Sequence, residues 1–253
     1  MNLSLQRVTQ FLDQTLQNHA FTDSSHNGLQ IANKGSVSSL AVGVDASLRF
    51  LQAAHEQGAD FVICHHGLSW ADSLKHITEL NYDLVSFAIT NNIAVYASHL
   101  PLDAHPIYGN NAQLAKLLKL KNVEPAFSYH GNTIGVTGTL PKALAFTDFC
   151  KLIGHHIASH YQVLDFGPKT IKRIGIVSGG GSDMLAEAKT LGVDVFLTGE
   201  PSLQGYNLAE NLKINVVFAG HYATELTGVR ALANLVTSKL RLPSTVIDFN
   251  ITY

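Results

Sequence analysis

The apolar run FVICHHG at residues 61–67 ends in two adjacent histidines, His65 and His66. Imidazole is both the commonest metal ligand and a proton carrier near neutral pH. Adjacent side chains point to opposite faces of a strand and lie about 100° apart on a helix. One ion is therefore hard to share between them, whereas two neighbouring ions require ligands that diverge. Gly67 would permit a sharp turn that aims both rings into a cleft. Further along stand His99-x-x-x-Asp103 and His221-x-x-x-Glu225. On a helix starting near Tyr222, His221 and Glu225 share one face. Imidazole with carboxylate suits zinc, iron, manganese or nickel without selecting sharply among them. A bridging carboxylate can bind two ions about 3.5–4 Å apart.

Such residues need a frame. The runs at 39–45, 59–66 and 93–99 read as buried strands, and helical patterns cover 46–58 and about 78–91. Leu5, Val8, Phe11, Leu12 and Leu16 recur at helical spacing near the N-terminus. This alternation predicts an α/β fold with mixed, largely parallel sheets. Residues 41–67 align without a gap with residues 175–201, pairing Leu51 with Leu185, Ala54 with Ala188, Gly58 with Gly192 and Asp60 with Asp194, an offset of 134. Residues 95–103 align with 217–225 at an offset of 122, so the segment between is 12 residues shorter in the second copy. Two related α/β halves follow. The first is expected over 1–126, joined by a C-terminal segment of about 222–253, and the second over 127–221. The polar, turn-rich stretch 121–138 divides them, and the metal site is expected in the cleft between them.

In the repeat, Glu200 occupies the place of His66, and His221 that of His99. Ligands in parallel α/β sheets bind at the carboxyl ends of strands, which makes His65, His66, Asp103, His221 and Glu225 a convergent metal-ligand set. His99 and Glu200 stand beside them as candidate catalytic proton shuttles. The remaining histidines read more simply. His55 and His76 suit a helix or the surface, His105 before Pro106 a turn, and His155, His156 and His160 a helix exit; Cys64 suits the core. The GGG at 179–181 resembles a phosphate-cradling nest, although no Lys-Ser/Thr follows it.

Composition limits the function classes. The chain has 253 residues, 46% hydrophobic and 14% charged, with a formal net charge of −2, so no broad basic surface points to nucleic acid. Residues 167–173 form only a small basic segment. No apolar run reaches the roughly 18 residues needed to span a bilayer, and the N-terminus lacks the pattern of a signal peptide. Two cysteines make a disulfide framework improbable, and a cytoplasmic location is expected.

The segments NGLQI (27–31), ICHHGLSW (63–70), HLPLDAHPIYGNNAQLA (99–115) and AGHYATELTGVRAL (219–232) resemble the GTP cyclohydrolase 1 type 2 homolog family, also named for a yeast coactivator-interacting factor. The resemblance runs through essentially the whole chain. It implies two intertwined α/β domains in a short form without an inserted third domain, a toroidal homohexamer, and two divalent metal ions per subunit. Carried over by motif, the ligands are His65, His66, Asp103, His221 and Glu225, with Glu225 bridging. Some members carry a further histidine near the counterpart of residues 198–204, which this chain lacks. The implied activity is metal-dependent hydrolysis of a nucleotide-like substrate, opening the guanine ring of GTP by water attack at C8. Alternatives are a two-metal phosphoesterase and a non-catalytic metal-binding adaptor or ring scaffold.

Overall fold

The computed structural model describes residues 2–253. The chain opens with β1 (Leu3–Ser4), α1 (Leu5–Leu16), β2 (Gly28–Ile31) and β3 (Ser36–Val37). There follow β4 (Leu40–Asp45), α2 (Leu48–Glu56), β5 (Phe61–His66), α3 (Glu79–Thr90), β6 (Ala94–Ala97) and α4 (Leu100–Ala104). Next come α5 (Asn110–Leu117), β7 (Lys121–Tyr129), β8 (Asn132–Ala145), α6 (Phe146–His156), β9 (Gln162–Asp165) and β10 (Thr170–Ile176). The last elements are α7 (Leu185–Thr190), β11 (Val195–Thr198), α8 (Leu203–Leu212), β12 (Asn215–Phe218), α9 (His221–Leu240) and β13 (Ser244–Val246).

Two compact units result, one running to Leu102 and including Gly228–Phe249, the other comprising Asp103–Thr227 and Asn250–Tyr253. The boundaries fall at 102/103 and 227/228, inside α4 and α9, and not at 126/127 and 221/222. The first boundary shifts because α5 and β7 pack and pair with β8. Residues 121–138 are accordingly no linker. They belong to the β7–β8 hairpin, whose two-residue turn His130-Gly131 has φ of +48° and +79°, as a turn matched to strand twist requires.

The first unit contains a five-stranded sheet in the order β13-β4-β5-β6-β2. Strands β13, β4, β5 and β6 are parallel, and β2 is antiparallel at the edge. Phe50, Leu51 and Ala54 of α2 pack with Val62 and Val95 of the sheet. In α1, Leu5, Val8, Leu12 and Leu16 form the buried stripe, and Ser4 Oγ caps the helix by accepting from Arg7 N–H. The second unit has six strands in the order β7-β8-β10-β11-β12-β9, with β10, β11 and β12 parallel. Its core joins Phe149 and Ile153 of α6 to Ile174, Val195 and Val217. Both units are thus α/β with mixed sheets that are parallel at the centre.

The repeat is visible bond by bond. Leu40 pairs with Phe61 and Ile174 with Val195, both 134 residues on. Helix α2 corresponds to the 3-10 turn Ser182–Met184 followed by α7. Gly58 and Gly192 end these helices with φ of +73° and +66°, a conformation that glycine adopts without a Cβ penalty. Asp60 accepts from the Ser38 and Ser39 amides, and Asp194 from those of Lys172 and Arg173. The third strand departs slightly from the sequence alignment. Ala97 pairs with Cys64 as Phe218 pairs with Thr198, which sets the offset at 121. By hydrogen-bond register the counterpart of His99 is therefore Gly220; His221 lies one residue further, as the first residue of α9.

Candidate metal centre

In the first unit three histidines converge at the carboxyl ends of β5 and β6. His65 is fully buried, and its Nδ1 donates to Ser98 O at 2.9 Å. Nε2 is then the nitrogen that could ligate a metal. His66 Nδ1 lies 2.8 Å from Oδ1 of Asp45, its register neighbour at the end of β4. His99 Nδ1 lies 2.9 Å from Asp23 Oδ1. The ring centroids of His65 and His66 are 4.7 Å apart, those of His65 and His99 5.1 Å, and those of His66 and His99 5.6 Å. One nitrogen from each ring lies within 4.8 Å of the others, close enough to hold an ion. The adjacent pair does not splay to opposite faces: at the end of β5 the two ring centroids stand within 4.7 Å of each other.

The surroundings of this triad fix its rings. Burial pushes the Asp23 carboxyl upward, but hydrogen bonds and charge from His99, with Asn27 and the Ser25 amide, outweigh it and hold Asp23 well below the usual carboxylate range. Asn27 Oδ1 accepts from His99 N–H, and its Nδ2 donates to Asp23. Gln30 Oε1 accepts from the Leu68 and Ser69 amides, clamping the turn after the histidines. Gly67 is required there for space rather than for a left-handed backbone: a Cβ would collide with the Gln30 amide and lie 2.5 Å from Ala97 Cβ. The Trp70 ring stands edge-on to His99 at 4.8 Å.

The second unit gathers carboxylates around His221. Its Nε2 lies 3.1 Å from Glu225 Oε1 and its Nδ1 3.2 Å from Glu200 Oε2. The hydrogen bond that His221 donates to Glu225, against burial and with help from Glu200, raises the imidazole pKa to about 9. Asp103 is buried, and its Oδ1 accepts from Asn110 Nδ2 and Ser178 Oγ, both at 2.8 Å. Next to Ser178, Gly179 has φ +63°, and a Cβ there would overlap Glu225 Oε1 and sit 3.0 Å from His221 Nε2. Gly180 likewise leaves room for the Glu200 carboxylate, 3.1 Å from its notional Cβ. The GGG stretch is therefore no open phosphate nest. Gly179 N–H donates to Thr224 Oγ1 and Gly181 N–H to Thr198 Oγ1, and the bare α-carbons make room for carboxylates.

Thus His65, His66 and His99 meet in one unit, and Glu200, His221 and Glu225 in the other, where the Ser178-Gly179 step serves Asp103 and Glu225 together. The histidines set aside behave as expected. His105 Nδ1 accepts from two turn amides, and His155 and His156 are exposed at the end of α6. The residues that orient these side chains, Asp23, Asp45, Asn110 and Ser178, carry no spacing signal of their own, although Asp45 ends the strand-like run 39–45 and Asn110 lies within HLPLDAHPIYGNNAQLA. No helix among the described residues is long and apolar enough to cross a membrane.

Paired parallel α/β units with histidine and carboxylate donors at their strand ends define a class of α/β protein able to hold metal. Within that class the chain belongs to the Duf34/NIF3 (NGG1p interacting factor 3) family, whose pattern matches residues 3–252. It is 41% identical over 242 residues to the GTP cyclohydrolase 1 type 2 homolog of Deinococcus radiodurans, covering 96% of this chain and 92% of that one. The homolog of the same name from Pyrococcus horikoshii is 38% identical, with 95% and 96% covered. Among solved structures, protein ybgI, described as of unknown function, superposes with a TM-score of 0.93 at 32% identity, covering 99% of this chain and all of that one. Reduced HcgD from Methanocaldococcus jannaschii gives 0.87 at 25% identity, with 98% and 99% covered.

Proposed function

We propose that the protein is a metal-dependent hydrolase acting on a nucleotide-like substrate, with two divalent ions held by His65, His66, Asp103, His221 and Glu225. The donor chemistry carries the proposal. Nitrogen and carboxylate-oxygen donors, with His65, His66, Asp103 and His221 each steadied by a further contact, are the pattern of zinc, manganese, iron or nickel sites. By the family resemblance the five ligands would be shared between the two ions, with Glu225 common to both. The bare α-carbon of Gly179 beside Glu225 and His221 supports the assignment, because a side chain there would occupy the ligands' own space. Bound divalent ions would supply Lewis acidity and lower the pKa of water toward neutrality.

The chain's own residues would manage protons and orientation. His99, with Nδ1 held by Asp23, has Nε2 to take a proton from the attacking water or return it to the leaving group. Glu200 steadies His221 through Nδ1 and can accept a proton at its half-exposed carboxylate. Ser98, Asp45, Asn110 and Ser178 hold the ligands in one orientation, which lowers the reorganisation needed on binding. The relatives' name suggests GTP as the first substrate to try. Metal-loaded protein incubated with GTP should release formate and a ring-opened product. If neither forms and other nucleotides and phosphate esters are also untouched, the hydrolase reading fails. A homohexamer belongs to the same proposal, and light scattering tests it.

A further inference from the structure

The second unit contains a cavity of about 750 Å³, within the size range of small-molecule sites. It lies where the chain leaves β11 at Gly199-Glu200, where it leaves β12 at Gly220, and at the start of β9. The carboxyl ends of parallel strands are where α/β sheets bind their ligands. Phe218 of β12 and Gln162 of β9 are register partners, so their side chains share one face of the sheet. Tyr161, whose ring edge lies against the bare α-carbon of Gly154, and Tyr253 add two further aromatic residues to the lining. The Tyr253 carbonyl accepts from Tyr222 N–H, which seats residue 253 beside Gly220.

Two kinds of group are left for an occupant. The rings of Tyr161 and Tyr253 make no contact with another ring among the described residues. The exposed side chains of His160 and Gln162 make no hydrogen bond among those residues either. The Gln162 amide offers two donors and an acceptor, and a neutral imidazole one of each. No Lys or Arg lines the cavity, Glu200 is anionic, and His160 is the one lining side chain that can carry a positive charge. A phosphate group would gain little in such surroundings. A flat, uncharged ring with both donors and acceptors on its edge matches them.

We propose that this cavity holds the base of the nucleotide-like substrate, with its ring against Tyr161 and Tyr253 and its edge read by Gln162 and His160. Aromatic side chains are general platforms for bases, because every base presents a π-face. The assignment rests on the hydrolase reading and deepens it. Glu200 lines the cavity and also stands 3.2 Å from His221 Nδ1, so a base held here lies next to the carboxylate that would move a proton. Phosphate and sugar would then extend out of the cavity.

Calorimetric titration of the full-length protein with guanosine 5′-monophosphate, against ribose 5-phosphate as the same molecule without its base, tests it. A chelator is present throughout, so binding is read without turnover and independently of whether the metal-loaded protein hydrolyses anything. The nucleotide should bind at least about tenfold more tightly than the sugar phosphate. Tyr253, 80% exposed, can be replaced without loss of core packing. Tyr253→Ala should melt like the parent and bind the nucleotide about fivefold or more weakly. Gln162→Ala should weaken it about threefold to tenfold, and neither variant should change the affinity for ribose 5-phosphate. Equal binding of the two probes, no binding of the nucleotide, or parental affinity in either folded variant would overturn the assignment. A protein that binds the base but yields no product with metal would instead count against hydrolysis alone.

Discussion

Gly179 stands against Glu225 so closely that a Cβ at residue 179 would overlap the carboxylate oxygen that faces His221. With φ at +63° the position also disfavours any side chain for backbone reasons. Gly179→Ala should therefore cost about 1–3 kcal/mol of stability. It should also displace Glu225 and lower metal content after purification, read by elemental analysis. A variant that binds metal like the parent would remove Glu225 from the ligand set.

The Ser178 hydroxyl donates to Asp103 and fixes its carboxylate. Ser178→Ala should keep the fold and weaken metal binding roughly 10- to 100-fold, the usual effect of removing a partner that orients a ligand. Competition with a chelator measures it. Glu225→Gln should be more severe, since it removes the charge that two ions would share.

Asp23 offers a test by pH. Its carboxyl is held well below the usual range in the folded protein, so the unfolded chain takes up its proton first as pH falls. The stabilisation is thus present above the unfolded value of about 4 and is lost as pH falls through the folded value. Asp23→Asn should be less stable than the parent at pH 7 by about 1.5–3 kcal/mol. That gap should narrow in denaturant titrations near pH 3. A gap independent of pH would mean that packing, not charge, is what Asp23 contributes.

The two cysteines should be inert. Burial, with Asp165 nearby, pushes Cys150 up to about 11, and burial with Asp45 raises Cys64 well above the ordinary thiol. Native protein at pH 7.5 should alkylate slowly with iodoacetamide and unfolded protein quickly. In the folded state Cys150 resists ionising, so its contribution is intact below the unfolded pKa of about 9 and declines as pH rises toward about 11.

The α/β alternation and the repeat were legible because both rest on local periodicity and on spacing along the chain. The candidate ligands were legible because strand ends can be read as positions. Their supports were not. Asp23 meets His99 across 76 residues and Ser178 meets Asp103 across 75, separations that no local pattern encodes. The one-residue difference between offsets of 122 and 121 arose because identical His-x-x-x-acid spacing favoured aligning His99 with His221. Hydrogen-bond register, set by the sheet, aligns the strands instead. Gly67 and the three glycines at 179–181 were recognised as special, but for backbone freedom or anion binding. At Gly67, Gly179 and Gly180 the missing side chain makes room for a neighbouring one.

Asp60 and Asp194 perform the same task on equivalent amides in separate units. The molecule thereby carries an internal standard. Removing one carboxylate, then its counterpart, then both, sets two near-identical losses side by side in one polypeptide. Additive effects would mean that the halves yield independently, whereas a shortfall or excess would measure how far damage in one half reaches the other.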